Sequence, residues 1–240
     1  MGIIQIDTYL ILLNNYKHRN PNGIEEMIKI WGRRNAYNVQ KVLWTLGELK
    51  ISHQHIDAGG STGGLDHPKF IEMNPNGRIP VLLDSDVTIW ESNSIVRYLC
   101  ATYSAGSLWA EAPAERSLAE RWMDWELASL QPVFLDLFWG YYRTPEPLRN
   151  QDAIQKASQR CEYLFSILDN HLGLHAFIAG DRFSMGDIPV ATCLYRYFEM
   201  GLVTPAVPNI RRWYNDLAQR KAYRTHIMTS FDELFGRQSF

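Results

Sequence analysis

Hydrophobic and polar positions change their spacing near residue 104. Upstream, short apolar runs bounded by turn residues alternate with amphipathic stretches. Ile28 to Trp31 reads as a first strand, Gly32 to Tyr37 as a turn, and Asn38 to Leu49 as a helix with Val39, Val42, Leu43 and Leu46 on one face. Gln54 to Asp57 is a second strand. Ala58 to Leu65 holds four glycines and reads as a loop, and Asp66 to Met73 carries a weak helix signal. The turn dipeptides Asn74-Pro75 and Asn76-Gly77 follow. Pro80, which cannot donate to a ladder, then opens the run Val81-Leu82-Leu83 at a strand start or edge. Asp84-Ser85-Asp86 closes that run, Val87 to Trp90 is a further short strand, and Ser92 stands at the N-cap position of a helix bearing Ile95, Val96 and Leu99. The order βαβαββα, with a right-handed crossover, makes a small four-stranded sheet.

Ser104 to Pro113 reads as a linker, and everything after it as helix. Ala114 to Leu130 is one helix. Pro132 should kink or interrupt it ahead of an aromatic stretch running to Tyr142. Thr144 to Pro147 is a break, and Asn150 to Leu172 is periodic at Ile154, Ala157, Cys161, Leu164, Leu168 and Leu172. Ser184-Met185-Gly186-Asp187 has the form of a capping box ahead of a helix from Ile188 to Met200, with Phe183 placed as a hydrophobic staple. A helix with Trp213 and Leu217 and a last helix over Ala222 to Phe235 complete the chain. Residues 1–26 differ from the rest: a short apolar run, Tyr9 to Leu13, precedes an Asn-rich stretch. It lacks the basic region and cleavage site of a signal peptide, so it reads as a non-native or loosely packed extension.

Composition sharpens this picture in three ways. At 240 residues and 46% apolar content the chain has room for two domains with sizeable cores. A net charge of −2 carries no electrostatic footprint for nucleic acid or an anionic membrane, and no run of 18 apolar residues offers a membrane span. Cys100, Cys161 and Cys193 follow no metal or redox spacing and lie on helical patterns. They read as buried small hydrophobes in a reducing, cytoplasmic setting.

The chemistry-bearing stretch is Asn74 to Leu99. A cis bond at Ile79-Pro80 would leave the Ile79 N–H and C=O free to pair with a guest peptide as an added strand. Glu91 and Ser92, at a helix N-terminus, would offer a carboxylate, a hydroxyl and backbone N–H groups nearby. The plain alternative is an edge hairpin with a capped helix and no ligand. The Ile-Pro and Glu-Ser pairs at this spacing resemble the glutathione-binding half of the cytosolic glutathione transferase family, and the resemblance runs from Met27 to about Phe235. It implies an α/β thioredoxin-like N-terminal domain over 27–103, a linker over 104–113 and an all-α C-terminal domain over 114–240. It also implies glutathione as co-substrate with no permanently bound cofactor, and a homodimer. Ile79, Pro80, Glu91 and Ser92 would hold glutathione through its backbone and γ-glutamyl end. Arg78 would approach its glycine carboxylate, unless it is merely a surface arginine.

Such enzymes lower the thiol pKa of glutathione. A free thiol near 8.5 is only a few per cent ionised at neutral pH, and a drop of two units takes about 2.7 kcal/mol. One hydrogen bond to a charged group supplies about 1.5–3 kcal/mol and a helix N-terminus about 0.3–1 kcal/mol more. One well-placed donor is therefore enough. The segment Trp31-Gly32-Arg33-Arg34-Asn35-Ala36-Tyr37-Asn38 has neither serine nor cysteine, and Trp31 stands where tyrosine-type members carry their tyrosine. The segment resembles bacterial members in which an asparagine opens this helix, so the donor ranking is Asn38, Asn35, Tyr37, with a simple N-cap role for Asn38 as the alternative. Arg33 and Arg34 are within reach of an anionic ligand or only solvated.

Trp125, Phe138 and Tyr142 are candidates to line an apolar acceptor pocket, with Arg143 placed to orient an anionic group. His53 and His55 alternate on a strand and share a side, but without a third ligand they make no metal site. The expected reaction is attack of glutathione thiolate on a small electrophilic, largely apolar acceptor, with halide loss as one form. Two alternatives stay open: a glutathione-dependent disulfide reductase or peroxidase, and a non-catalytic glutathione-fold module that binds a protein partner.

Overall fold

The computed structural model describes residues 27–104 and 106–239; the extension over 1–26 lies outside the described residues. The first domain runs β1 (Ile28–Trp31), α1 (Tyr37–Glu48), β2 (His53–Ile56), α2 (Pro68–Met73), β3 (Val81–Asp84), β4 (Val87–Trp90) and α3 (Ser92–Tyr103). The strand order is β2-β1-β3-β4, with β1 and β2 parallel and the other two pairs antiparallel. The parallel pair needs a crossover, which α1 supplies. The apolar face expected of that helix is the one it buries: Val39, Val42, Leu43 and Leu46 pack with Ile28, Ile30, Leu82, Ile95 and Leu99. On the opposite side Phe70 of α2 covers Ala58 and Val81.

Two helix starts differ from expectation. Ser92 is the first helical residue of α3, and the cap position falls to Glu91, whose φ is +68°. The cap position of α1 is Ala36, so Asn38 lies inside the first turn and is not the N-cap.

The second domain opens with α4 (Pro113–Trp125), continues through a π-turn over Glu126–Leu130 into α5 (Gln131–Leu137), and ends in another π-turn over Phe138–Arg143. The rod is helical from Pro113 to Arg143, so Pro132 does not break it. A proline inside a helix removes one backbone hydrogen bond and crowds the preceding turn; here the turn just before it is the wide one. Then come α6 (Gln151–Leu172), capped by Asn150 Oδ1 on the Ala153 N–H at 3.0 Å, α7 (Asp187–Ala191), α8 (Leu194–Glu199), α9 (Pro208–Ala218) and α10 (Lys221–His226).

The expected helix from Ile188 to Met200 is split into α7 and α8 beside Thr192, whose hydroxyl donates back to the Ile188 carbonyl at 2.7 Å. The expected last helix stops at His226. Ser230 Oγ donates to Asp232 Oδ2 at 2.8 Å and accepts from the Asp232 N–H, a local arrangement that competes with helix. The tail then returns along the rod: Gly236 N–H donates to the Tyr142 carbonyl at 3.0 Å and Gln238 to Thr144 Oγ1 at 2.9 Å.

Asp187 is fully buried. Its carboxylate accepts from the N–H groups of Ile178 and Ser184, from Ser184 Oγ and from Trp213 Nε1, at 2.8–3.1 Å. The Ser184–Asp187 pair therefore ties α7 to α9, a folding role. All three cysteines are buried and unpaired, and burial pushes the Cys100 and Cys161 thiols up to about 12. Among the described residues no helix is long and apolar enough to cross a membrane.

Candidate active site

The Ile79-Pro80 bond is cis. The β3 ladder begins at Val81, and Ile79 makes no backbone–backbone hydrogen bond among the described residues. Its N–H and C=O are thus available to an extended peptide. The turn before it is fixed by the buried Asn74, whose Nδ2 donates to the Arg78 carbonyl at 2.8 Å and whose Oδ1 accepts from the Asn76 N–H at 3.0 Å. Gly32, at the end of β1, has φ +147°; a Cβ there would lie 2.4 Å from Val39 Cγ2 and 3.3 Å from Ile79 Cβ. Glycine is therefore required for the start of α1 to sit against the Ile79 bend.

At the head of α3, Glu91 holds a left-handed conformation that costs a non-glycine residue energy, and such residues cluster at ligand sites. Its carboxylate is exposed, while Ser92 is buried at the first helical position with the helix N–H groups around it. Arg78 is exposed and makes no ion pair among the described residues.

The three thiol-donor candidates are in different situations. Tyr37 is buried, and its hydroxyl donates to Glu126 Oε1 at 3.0 Å. Burial and the nearby Glu126 charge hold its pKa well above 10.0. It therefore faces the helical domain and is committed there. Asn35 donates through Nδ2 to Glu233 Oε1 and accepts weakly from Arg33 Nη1 at 3.4 Å. Asn38, in the first turn of α1, has a buried side-chain Oδ1 with no hydrogen-bond partner. Rotating the amide by a half turn would put Nδ2 in that place.

A cavity of about 350 Å³ opens beside Asn35, lined by Arg33, Arg34, Asp57, Ser61, Glu233, Leu234, Arg237 and Ser239. The last four come from the C-terminal tail, which the sequence reading placed in or after a helix and did not associate with the site. Of the acceptor candidates, Phe138 and Tyr142 stack at 5.3 Å, and Phe231 of the tail joins them at 4.9 Å from Tyr142. Trp125 belongs to another group, packed edge-on against Trp122, which in turn lies on His171. Arg143 is buried, 3.7 Å from the Trp139 ring, and its Nε donates to the Arg237 carbonyl at 2.8 Å.

His55 Nε2 lies 2.7 Å from the Gly32 carbonyl. No group of three or more potential ligands for a metal ion occurs among the described residues.

Sequence reasoning also missed the contacts that fix α1. Lys41 and Glu126, both fully buried, pair at 3.0 Å, with Gln131 Oε1 accepting a further bond from Lys41 at 2.6 Å. At the other end Arg220 grips Glu48 with two bonds at 2.7 and 2.9 Å. These links span 85 and 172 residues, and no local signal marks them.

Residues 26–101 match the glutathione S-transferase N-terminal domain, and residues 130–221 match the glutathione S-transferase C-terminal domain. Over 204 residues the chain is 43% identical to glutathione S-transferase GstB of Escherichia coli (strain K12), covering 84% of this chain and 98% of that protein. A solved theta-class glutathione S-transferase from the citrus canker pathogen Xanthomonas axonopodis pv. citri, with glutathione bound, is 44% identical. It superposes with a TM-score of 0.82 over 85% of this chain and 98% of its own. Glutathione transferase F2 from Populus trichocarpa is 26% identical with a TM-score of 0.75, over 83% and 97%. With that identity sustained over nearly the whole of its bacterial relatives, the chain belongs to the glutathione S-transferase family.

Proposed function

We propose that the protein binds glutathione, holds its thiol as the thiolate, and directs it at a small, largely apolar electrophile, with halide leaving where the acceptor carries one. The Ile79 backbone pairs with the peptide, Glu91 and Ser92 receive the γ-glutamyl end, and Arg78 approaches the glycine carboxylate. Asn38 is the thiolate donor, with Asn35 second. The protein works as a homodimer in the cytoplasm.

The observation that carries this reading is the Asn38 amide, left without a hydrogen-bond partner in the first turn of α1. The end of β1 before that turn is pressed by Gly32 against Ile79. A buried polar group without a partner is expensive, and with the amide turned over Nδ2 stands in that place and donates to a thiolate supplied by the ligand. The related structure with glutathione bound supports the same assignment of ligand.

Ultraviolet difference titration of bound glutathione tests this. The thiolate band should appear one to two pH units (about 1.4–2.7 kcal/mol) below the free thiol in wild type, and move most of the way back in Asn38→Ala. An unshifted Asn38→Ala titration, with Asn35→Ala shifted instead, transfers the role to Asn35. Absence of binding refutes the enzyme reading.

A further inference from the structure

The first turn of α1 carries Asn38 but lacks the usual fastening of a helix start. Its cap position is Ala36, and no side chain there accepts from the first N–H groups. The fastening comes instead from the second domain. Arg196 of α8 is only 4% exposed; its Nη2 donates to the Asn35 carbonyl at 2.5 Å and to Gln40 Oε1 at 2.9 Å. Asn35 lies just before the cap and Gln40 just after Val39 in α1, so one guanidinium brackets the segment that contains Asn38.

Gln40 is itself locked. It is fully buried, and its Nε2 donates to the His226 carbonyl at 2.9 Å and to Thr229 Oγ1 at 3.1 Å. A carbonyl can only accept and a guanidinium can only donate, so the amide has one orientation, with Oε1 on Arg196. The chain of contacts ties the turn to α8 and to the end of α10. Arg196 is held in turn by rings: its guanidinium lies 5.3 Å from the Phe138 ring and 5.9 Å from Phe231. Burial brings its pKa down to about 10, with Tyr37 opposing the fall and Arg33 and Arg143 adding to it, so the cation persists where bound glutathione is to ionise. Hydrogen bonds from a charged donor are about twice as strong as neutral ones. A hydrogen bond to a thiolate, for its part, weakens steeply once donor and acceptor are misaligned. The strong contact therefore stands where direction matters most.

We propose that Arg196 is a positioning residue for thiolate activation. Through the Asn35 carbonyl and Gln40 it fixes the first turn of α1, so that the Asn38 amide keeps its direction toward the sulfur. The proposal rests on the transferase reading and adds a residue of the helical domain to that chemistry. Arg196 acts through the turn and not on the sulfur itself.

The test is ultraviolet titration of bound glutathione in Arg196→Met, in Gln40→Met, and in Gln40→Met combined with Asn38→Ala, with thermal melts confirming that each variant is folded. Gln40→Met keeps the Arg196 charge and breaks only the bracket. It should raise the thiol pKa by about 0.5–1 unit, leaving about three- to tenfold less thiolate near neutral pH. Arg196→Met should raise it at least as far. On top of Asn38→Ala, Gln40→Met should add nothing, because both act on the same amide. A shift in Arg196→Met with none in Gln40→Met overturns the proposal and leaves Arg196 as a distant charge. An unshifted titration in both overturns it too, as does a Gln40→Met shift that adds in full to that of Asn38→Ala. If Arg196→Met does not fold, the two Gln40→Met titrations decide on the same terms. Failure of the transferase reading looks different: wild type itself shows no lowered thiol pKa, and both ideas fall together.

Discussion

The side-chain amide of Asn35 donates to the carboxylate of Glu233, a residue 198 positions further along the chain. The tail thus places a negative charge beside the turn to which the proposed function assigns the thiolate. A charge about 4 Å away in water-like surroundings is worth about 1 kcal/mol. Glu233→Gln should therefore lower the pKa of bound glutathione by about 0.5–1 unit, read by ultraviolet titration. A rise instead would mean that Glu233 acts mainly by holding Asn35 in place.

Ser92 and Glu91 should act on binding more than on chemistry. Ser92→Ala is expected to raise KM for glutathione about tenfold with kcat within about twofold, the pattern of lost uniform binding. Steady-state kinetics with saturating acceptor check it. A fall in kcat at unchanged KM would move Ser92 from ligand holding to thiolate activation.

Lys41 and Glu126 form a fully buried ion pair, with burial pulling the Lys41 pKa down and Glu126 pulling it back up. Removing one partner strands a buried charge. Glu126→Ala should lose about 3–5 kcal/mol in urea unfolding, whereas the double variant Lys41→Met with Glu126→Leu should lose less than either single change. Additive losses would contradict the pair as drawn.

The partly buried His226 and the fully buried Asp187 make opposite contributions at acid pH. Burial, with His53, Arg34 and His55 adding to it, brings His226 down from 6.5 to about 4. Between those values the unfolded chain binds the proton and the folded chain does not, so stability falls as pH drops. Burial raises Asp187 from 3.8 to about 6. In that window the folded chain holds the proton that the unfolded chain has lost, so stability rises as pH drops. Wild type should show a shallow profile between pH 4 and 6 from their partial cancellation. His226→Gln should gain stability on acidification across the same range, as read from urea midpoints at each pH. A steeper loss on acidification in that variant would refute the assignment.

The parts of the molecule set by local pattern were legible in the chain. The order of elements along the first domain and the buried stripe of α1 follow from turn residues and periodicity, whereas Ile79-Pro80 and Glu91-Ser92 stood out through their resemblance to the glutathione-binding half of the family. Tyr37 was open to misreading, because its direction depends on Glu126 in the other domain, and periodicity says nothing of that. The tail was expected as helix because Ala222 to Phe235 contains good helix formers; Ser230 and Asp232 stop it with two local hydrogen bonds. Pro132 suggested a break that the π-turn ahead of it absorbs. Arg196, the buried cation behind Asn35, lies in an ordinary amphipathic stretch and becomes conspicuous only when 161 residues of separation collapse to a hydrogen bond.

The fastening of α1 has a consequence for how the chain can be divided. The helix that presents Asn38 is gripped near its start through Lys41 and at its end through Glu48, in both cases by residues beyond the linker. Cutting the chain between Tyr103 and Pro113 would put Lys41 and Glu126 on separate pieces, each without the partner it has in the whole chain. Neither fragment carries a finished site. The two halves are complementary fragments, and catalysis by a split chain would require them to reassemble.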